Sequence, residues 1–427
     1  MKITCLSEEY STAKGGKRRF TQPPFKQPWY AQNRIFSTPR LVATDPFSNQ
    51  MISTQQSVRD AAAYSRHPQT APLSVLLIGA IHRGQAPRGG EEYKNQLLLG
   101  YLGDKTALTC IDTHRWKQNP GVLMKLLWKV FFGTFDTILI SASSATTYRL
   151  IQMMHLRPSL LSKTIYLVVG GYFPGAVVAG KFRAQYYRRL KAILVQGRKM
   201  QRELSAAGLK EHVAVMPNFK PVPKVFGATG RFAVPVFRFV FLSRISPEKG
   251  VLELFQAIRL LKGKRDFIVD FYGPVEAGFQ QGFDKLLTET PGCNYRGYLD
   301  FLRDPEGAYT TLADYHTMVF PTFWQGEGFP GVVLDAYIAG LPVIASDWNL
   351  NAEVLSEGKT GLLVPPRDAA ALAVAMDKMM DEREKLAVYS VECHRRALDY
   401  TVERVLDTCL MPCLDNSFST LKAGSHA

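Results

Sequence analysis

Two short segments carry the residue types needed to hold an anionic, hydroxyl-rich ligand. Residues 321–348 read PTFWQGEGFPGVVLDAYIAGLPVIASDW, in which a strand-like run enters a loop with Gly326, Glu327 and Gly328. A helix then begins near Pro330 and Gly331. Glycines at such a turn let backbone N–H groups approach an anion, and a helix N-terminus adds a favourable dipole. Gly328, Phe329, Pro330 and Gly331 are therefore candidate binding positions. Glu327 lies in the loop and Asp335 about one turn into the helix, so both carboxylates can face one cavity and accept hydrogen bonds from hydroxyls. The alternative is that Asp335 only solvates the helix and Glu327 caps it. The second segment, SRISPEKG at 243–250, places Arg244 and Lys249 on either side of a strand-to-helix loop that ends in Gly250. Two fixed cations there can neutralise a diphosphate as a metal would elsewhere. The competing reading is a surface loop with incidental charges.

These loops need a scaffold of strands and helices, and the pattern along the chain supplies one twice. Apolar runs at 74–79, 106–111, 137–140, 164–169 and 192–195 read as buried parallel strands, with helical stretches at 91–102, 120–132, 146–155 and 200–208 between them. Pro221 and Pro223 fall in a proline-rich linker (MPNFKPVPKV), after which the series resumes. Its strands are expected at 239–242, 268–272, 318–321, 343–345 and 361–364, and its helices at 251–261, 279–287, 331–339 and 369–381, with Pro247 and Glu248 opening the first helix. The fold class is thus α/β, with two Rossmann-like domains facing across a cleft at the carboxyl ends of their strands. The expected division is a flexible leader at 1–70, a first domain at 71–220, a second at 221–411 and a tail at 412–427.

Composition excludes several classes. The net charge of +15 is unevenly placed: residues 71–224 hold 22 Lys/Arg against 7 Asp/Glu, whereas residues 225–427 hold 20 against 26. A basic first lobe suggests an anionic surface or substrate, the plainer alternative being solubility. No zinc finger, recognition-helix signature or aromatic RNA-binding motif accompanies it, so no nucleic-acid partner is expected. The six cysteines are scattered, and no cysteine, histidine or aspartate grouping has metal-ligand spacing, so no metal and no cofactor is expected. The loop HRGQAPRGG after the first strand is not the GxGxxG of a dinucleotide dehydrogenase. Residues 164–180, uncharged and apolar, contain four glycines and a proline, too broken for a spanning helix, and Glu8 and Glu9 argue against a signal peptide.

From 74 to 411 the chain resembles the family 4 retaining glycosyltransferases of the GT-B fold. Arg244, Lys249 and Gly250 match the family's Arg…Lys-Gly signature, and Glu327 with Asp335 matches its glutamate-x7-glutamate motif, with aspartate in the second place. The EGFPGxxxDAxxAGxPVIASDW pattern is similar to bacterial transferases of capsular, exopolysaccharide or O-antigen assembly. The resemblance implies a UDP- or GDP-sugar donor and retention of configuration without a metal. Arg244 and Lys249 would hold the diphosphate, Glu327 the sugar and Asp335 the ribose. It also implies that Gly89 and Gly90 form the glycine-rich loop near the donor phosphates, and that the base is contacted near Gly273 and Tyr298. The histidine that many members carry after a middle strand of the first domain is replaced here by Gly170-Gly171-Tyr172, and neither His82 nor His114 takes its role by motif. A GT-B-fold sugar-nucleotide epimerase is the alternative. The acceptor is expected to be a lipid-linked saccharide at an anionic membrane, reached by a cytoplasmic protein held peripherally on the inner face of the plasma membrane. Residues 115–135 (RWKQNPGVLMKLLWKVFFGTF) supply Lys125, Lys129 and Trp128 for that contact, unless their apolar residues pack on the sheet instead.

Overall fold

The computed structural model describes residues 72–415, apart from 83–86, 88, 115, 117–118, 223–230 and 232–233. The expected leader, part of the linker and the end of the tail lie outside the described residues. Unbroken apolar runs such as SVLLIG need cover on both faces, which a parallel sheet flanked by helices provides. Two such sheets form. The first contains β1 (Ser74–Gly79), β2 (Ala107–Asp112), β3 (Thr137–Ser141), β4 (Thr164–Leu167), β5 (Ala192–Val195) and β6 (Val213–Val215), in the order β2-β1-β3-β4-β5-β6. The second contains β7 (Phe237–Leu242), β8 (Phe267–Tyr272), β9 (Cys293–Tyr295), β10 (Thr317–Phe320), β11 (Val343–Ser346) and β12 (Gly361–Val364), in the order β12-β11-β10-β7-β8-β9. Every ladder pairing within both sheets is parallel. The expected α/β, two-domain architecture is observed.

The short β6 and β9 escaped the sequence reading, as did the helix Pro305–Ala313 and the helix Leu386–Ala397. A larger departure concerns the boundary at 411. The chain returns to the first lobe: Val402, Val405, Leu406, Leu410, Cys413 and Leu414 share a core with Leu77, Leu98 and Tyr101. Lys105 clamps this return by an ion pair to Asp407 at 2.7 Å. Residues 402–411, expected in the second domain, thus pack with the first lobe.

Contacts between lobes position the loops of interest. Glu353 accepts the backbone N–H groups of Arg198 and Lys199, each at 2.6 Å, and so caps the helix Arg198–Leu204 of the first lobe. Those first-turn donors have no partner within their own helix, and a carboxylate also complements the helix dipole. Arg231, fully buried, donates to the carbonyls of Ala313, Ala339 and Gly340, closing the ends of the helices Pro305–Ala313 and Gly331–Ile338. Burial lowers its pKa to about 10. Cys293, Cys393, Cys409 and Cys413 are free thiols.

Candidate functional site

The loop after β7 does not run directly into a helix. Pro247–Lys249 form a separate 3-10 turn, and the helix begins only at Val251. Gly250 makes the break: its φ of 76° is left-handed, and a Cβ there would lie 2.1 Å from the Pro321 carbonyl oxygen. The loop is therefore pressed against the end of β10, where Phe323 N–H donates to the Glu248 carbonyl at 2.9 Å. This join brings the two sequence segments together. Lys249 Nζ meets Glu327 Oε2 at 2.5 Å, and Thr322 Oγ1 donates to the same oxygen at 3.0 Å. Both charged groups are largely withdrawn from water, Lys249 at 6% and Glu327 at 8% exposure.

Arg244 and Lys249 do converge, and the point of convergence is Trp324. Lys249 Nζ lies 4.6 Å and the Arg244 guanidinium carbon 5.3 Å from its ring centroid. A cation over an indole face is attracted by the ring quadrupole. Trp324 is itself fixed, since Trp348 Nε1 donates to its carbonyl at 2.8 Å. Arg244 is exposed and, among the described residues, forms no ion pair. The site thus offers an accessible cation, an aromatic ring and a buried Lys–Glu pair at the carboxyl ends of neighbouring strands β7 and β10.

The loop holding Glu327 is gripped from the first lobe. Gly171 N–H donates to the Gly326 carbonyl at 3.0 Å, and Phe329 N–H donates to Gln196 Oε1 at 3.1 Å. A Cβ on Gly171 would stand 2.0 Å from the Glu327 carbonyl oxygen, and one on Gly328 2.0 Å from Gln196 Oε1. The Gly170–Gly171 pair, which in sequence marks a missing histidine, is in space the backbone contact between lobes. Asn349 Nδ2 donates to the Glu327 carbonyl at 2.9 Å and fixes the loop from the other side. Pro330 precedes the helix Gly331–Ile338 as expected, and Gly331 faces Asn218, whose Nδ2 donates to the Phe329 carbonyl at 3.4 Å.

The sequence allows the Asp335 and Glu327 carboxylates to face one cavity; in the structure each has its own lysine partner. Lys220 Nζ pairs with Asp335 Oδ2 at 3.0 Å, and Tyr309 OH donates to Oδ1 at 3.0 Å. Asp335 is 2% exposed, and burial holds its pKa above the ordinary value despite Lys220. Lys220 also lies 4.2 Å from the Tyr93 ring, which ties Asp335 to the first lobe. A lysine in a proline-rich crossover gives no sequence signal of this partnership, whereas Thr322 and Trp324 were already within the motif.

Gly89 and Gly90 are exposed, and a Cβ on either would meet nothing within 4 Å, so no protein contact demands glycine there. They lead into the helix Gly90–Gly103, where burial raises Glu91 to about 7 and lowers Lys94 to about 8. Gly273, at φ 136°, packs against the Ser243 carbonyl, and Tyr298 projects into solvent. The structure also gathers a group that sequence spacing concealed: ligand atoms of His82, Glu92 and His114 lie within 4.8 Å of one another.

Residues 236–382 match the family model for glycosyl transferases group 1, and this stretch contains Arg244, Lys249, Glu327 and Asp335. Among curated proteins, an exopolysaccharide phosphotransferase of Streptomyces coelicolor is 35% identical over 83 residues, 19% of this chain and 9% of that protein. A phosphatidyl-myo-inositol mannosyltransferase of Mycobacterium leprae is 40% identical over 74 residues, 17% of this chain and 20% of its own. The capsular polysaccharide biosynthesis glycosyltransferase CapM of Staphylococcus aureus is 25% identical over 145 residues, 33% of this chain and 36% of its own. The matches thus span well under half of these relatives' lengths. The Anabaena protein HepE, solved in complex with UDP, superimposes with a TM-score of 0.64 at 14% identity, covering 82% of this chain and all of that one. The fold is GT-B, and the family match falls within its second lobe.

Proposed function

We propose that this protein transfers a sugar from a UDP- or GDP-sugar to a growing, lipid-linked saccharide, with retention of configuration. The observation that carries the reading is the grouping of Arg244, Trp324, Lys249 and Glu327 at the strand ends of the group 1 domain. Arg244, which has no carboxylate partner among the described residues, receives the diphosphate, and Lys249 meets the charge that develops as the sugar departs. The buried Lys249 charge acts strongly because it is withdrawn from water, and with Arg244 it needs no metal at the diphosphate. Glu327 orients the sugar through its hydroxyls. Asp335 would reach the ribose only after releasing Lys220. The leaving phosphate oxygen takes the acceptor's proton on the face that the sugar leaves, so the enzyme supplies no nucleophile. The UDP bound by HepE and the polysaccharide and phosphatidylinositol substrates in the relatives' names support the donor and acceptor classes.

The acceptor is proposed to lie at the anionic inner face of the plasma membrane. The attachment proposed is peripheral; no helix among the described residues is long and apolar enough to cross a membrane. The basic first lobe and the exposed aromatic face of the helix Pro120–Phe132 support that placement. A thermal-shift panel of UDP-, GDP-, ADP- and CMP-sugars tests the donor. A ligand at a hundredfold excess over Kd stabilises by about 2.7 kcal/mol. UDP- or GDP-sugars should raise the melting temperature, and silence across the panel would remove the donor assignment.

A further inference from the structure

The carboxyl-terminal edge of the first sheet gathers three metal-ligating side chains that the proposed transfer leaves unused. β1 ends at Gly79, and His82 follows; β2 ends at Asp112, and His114 follows; Glu92 comes from the first turn of the helix Gly90–Gly103. His114 Nδ1 lies 3.3 Å from one Glu92 carboxylate oxygen and His82 Nδ1 3.6 Å from the other. The two imidazoles stack, with centroids 4.1 Å apart.

Hydrogen bonding does not account for the placement of His82. A separation of 3.6 Å is too long for a hydrogen bond. His82 Nδ1 accordingly has no hydrogen-bond partner, although its side chain is only 10% exposed. A buried polar atom left unpaired costs free energy unless something satisfies it. Each His–Glu separation, 3.3 or 3.6 Å to a different oxygen of Glu92, is near the edge of about 3.4 Å between two ligands on a tetrahedral ion with donors about 2.1 Å from the metal.

The backbone is also committed to the cluster. His82 holds a φ of 55°, a region that non-glycine residues rarely enter and that must be stabilised by surrounding contacts. Asp112 Oδ1 provides some of them, accepting the N–H of Ile81 at 3.0 Å and of His114 at 2.9 Å, so one carboxylate fixes both histidine loops. Gln96 Nε2 adds a donor to the Ile81 carbonyl at 2.9 Å. Outer contacts that orient ligands in this way are what a metal site needs.

We propose that His82, Glu92 and His114 bind a divalent transition-metal ion of the zinc class. Two imidazoles and a carboxylate suit zinc or cobalt better than magnesium or calcium, which take oxygen ligands. Three protein ligands leave a coordination position open to water or to an acceptor oxygen. The site lies on the first lobe, apart from the diphosphate-binding loops of the second, and does not depend on the transfer reading.

Tag-free full-length protein, stripped with a chelator, is titrated with Co2+ while the visible absorption of the ion is followed, with Mg2+ as competitor. One equivalent should bind and resist excess Mg2+. Affinity should fall at least a hundredfold in His114→Ala and in the shape-conserving Glu92→Gln, with both variants keeping the wild-type melting profile of the stripped protein. Absence of binding, or binding unchanged in folded Glu92→Gln and His114→Ala, would overturn the proposal. Nucleotide-sugar thermal shifts on the same samples report the donor site separately, so either assignment can fail alone.

Discussion

Lys249 and Glu327 stand 78 positions apart in the chain and meet as a buried ion pair at 2.5 Å, with Thr322 as the second donor to the carboxylate. Removing one partner of such a pair strands a charge out of water, typically costing about 3–5 kcal/mol. Lys249→Ala should therefore lose both stability and transfer, which alone would not separate the two roles. Glu327→Gln keeps the shape and should lower transfer at least a hundredfold, in line with a lost electrostatic contribution of roughly 3 kcal/mol. The double variant Lys249→Met/Glu327→Gln removes both charges. Its melting temperature should recover towards wild type while its turnover does not. Recovery of turnover would make the pair structural only.

Gly171 touches the Glu327 carbonyl so closely that a Cβ would stand 2.0 Å away. Gly171→Ala must push the loop or the lobe aside, at about 1–3 kcal/mol for such overpacking. Transfer should fall at least tenfold, because the displaced loop carries Glu327. Gly175→Ala, in the helix that Gly171 precedes, is the control, since a Cβ there meets nothing within 4 Å. Equal turnover in the two variants would show that the lobe contact does not set the geometry of Glu327.

The scaffold was legible where physics is local. Continuous apolar runs announced most of the parallel strands, and Gly250 and Gly328 marked close approaches within a readable motif. What escaped depends on contacts far apart in sequence. Lys220 sits 115 residues from Asp335, and the return of residues 402–414 to the first lobe looks like any amphipathic ending. His82, Glu92 and His114 follow no ligand spacing, because two strand ends and a helix start bring them together. Gly170–Gly171 read as an absence and proved to be a contact.

His316 gives the fold a pH dependence of defined sign. It is fully buried, its Nδ1 accepts the Arg238 N–H at 3.0 Å, and its Nε2 lies 3.1 Å from Arg383. Burial first, and Arg383 next, lower its pKa from 6.5 to about 4. The unfolded chain then takes up the proton before the folded one does. The contribution is complete above pH 6.5, shrinks as pH falls, and is gone below about 4. Its full size is about 3 kcal/mol. Melting temperatures recorded between pH 7 and 4.5 should fall less steeply for His316→Gln than for wild type, and parallel profiles would exclude this residue as a source.

The helix Pro120–Phe132 divides its apolar residues between two tasks. Leu126 and Val130 are buried in the first lobe's core, which meets the packing expectation for part of the segment. Met124, Trp128 and Phe132, spaced at i, i+4 and i+8, remain 71%, 65% and 70% exposed, and Leu156 extends the patch. Lys125 is exposed on the same helix and Lys129 half-buried. An apolar aromatic stripe edged by lysines suits a headgroup layer, where each basic residue near an anionic surface adds about 1 kcal/mol. In vesicle flotation the protein should bind anionic lipid, weaken with salt, and fall sharply when Lys125 and Lys129 become Glu. Trp128→Ser should weaken binding without changing its salt dependence, because it removes inserted area and no charge. Equal binding to neutral vesicles, or none to anionic ones at low salt, would sink the membrane assignment and favour an acceptor free in solution.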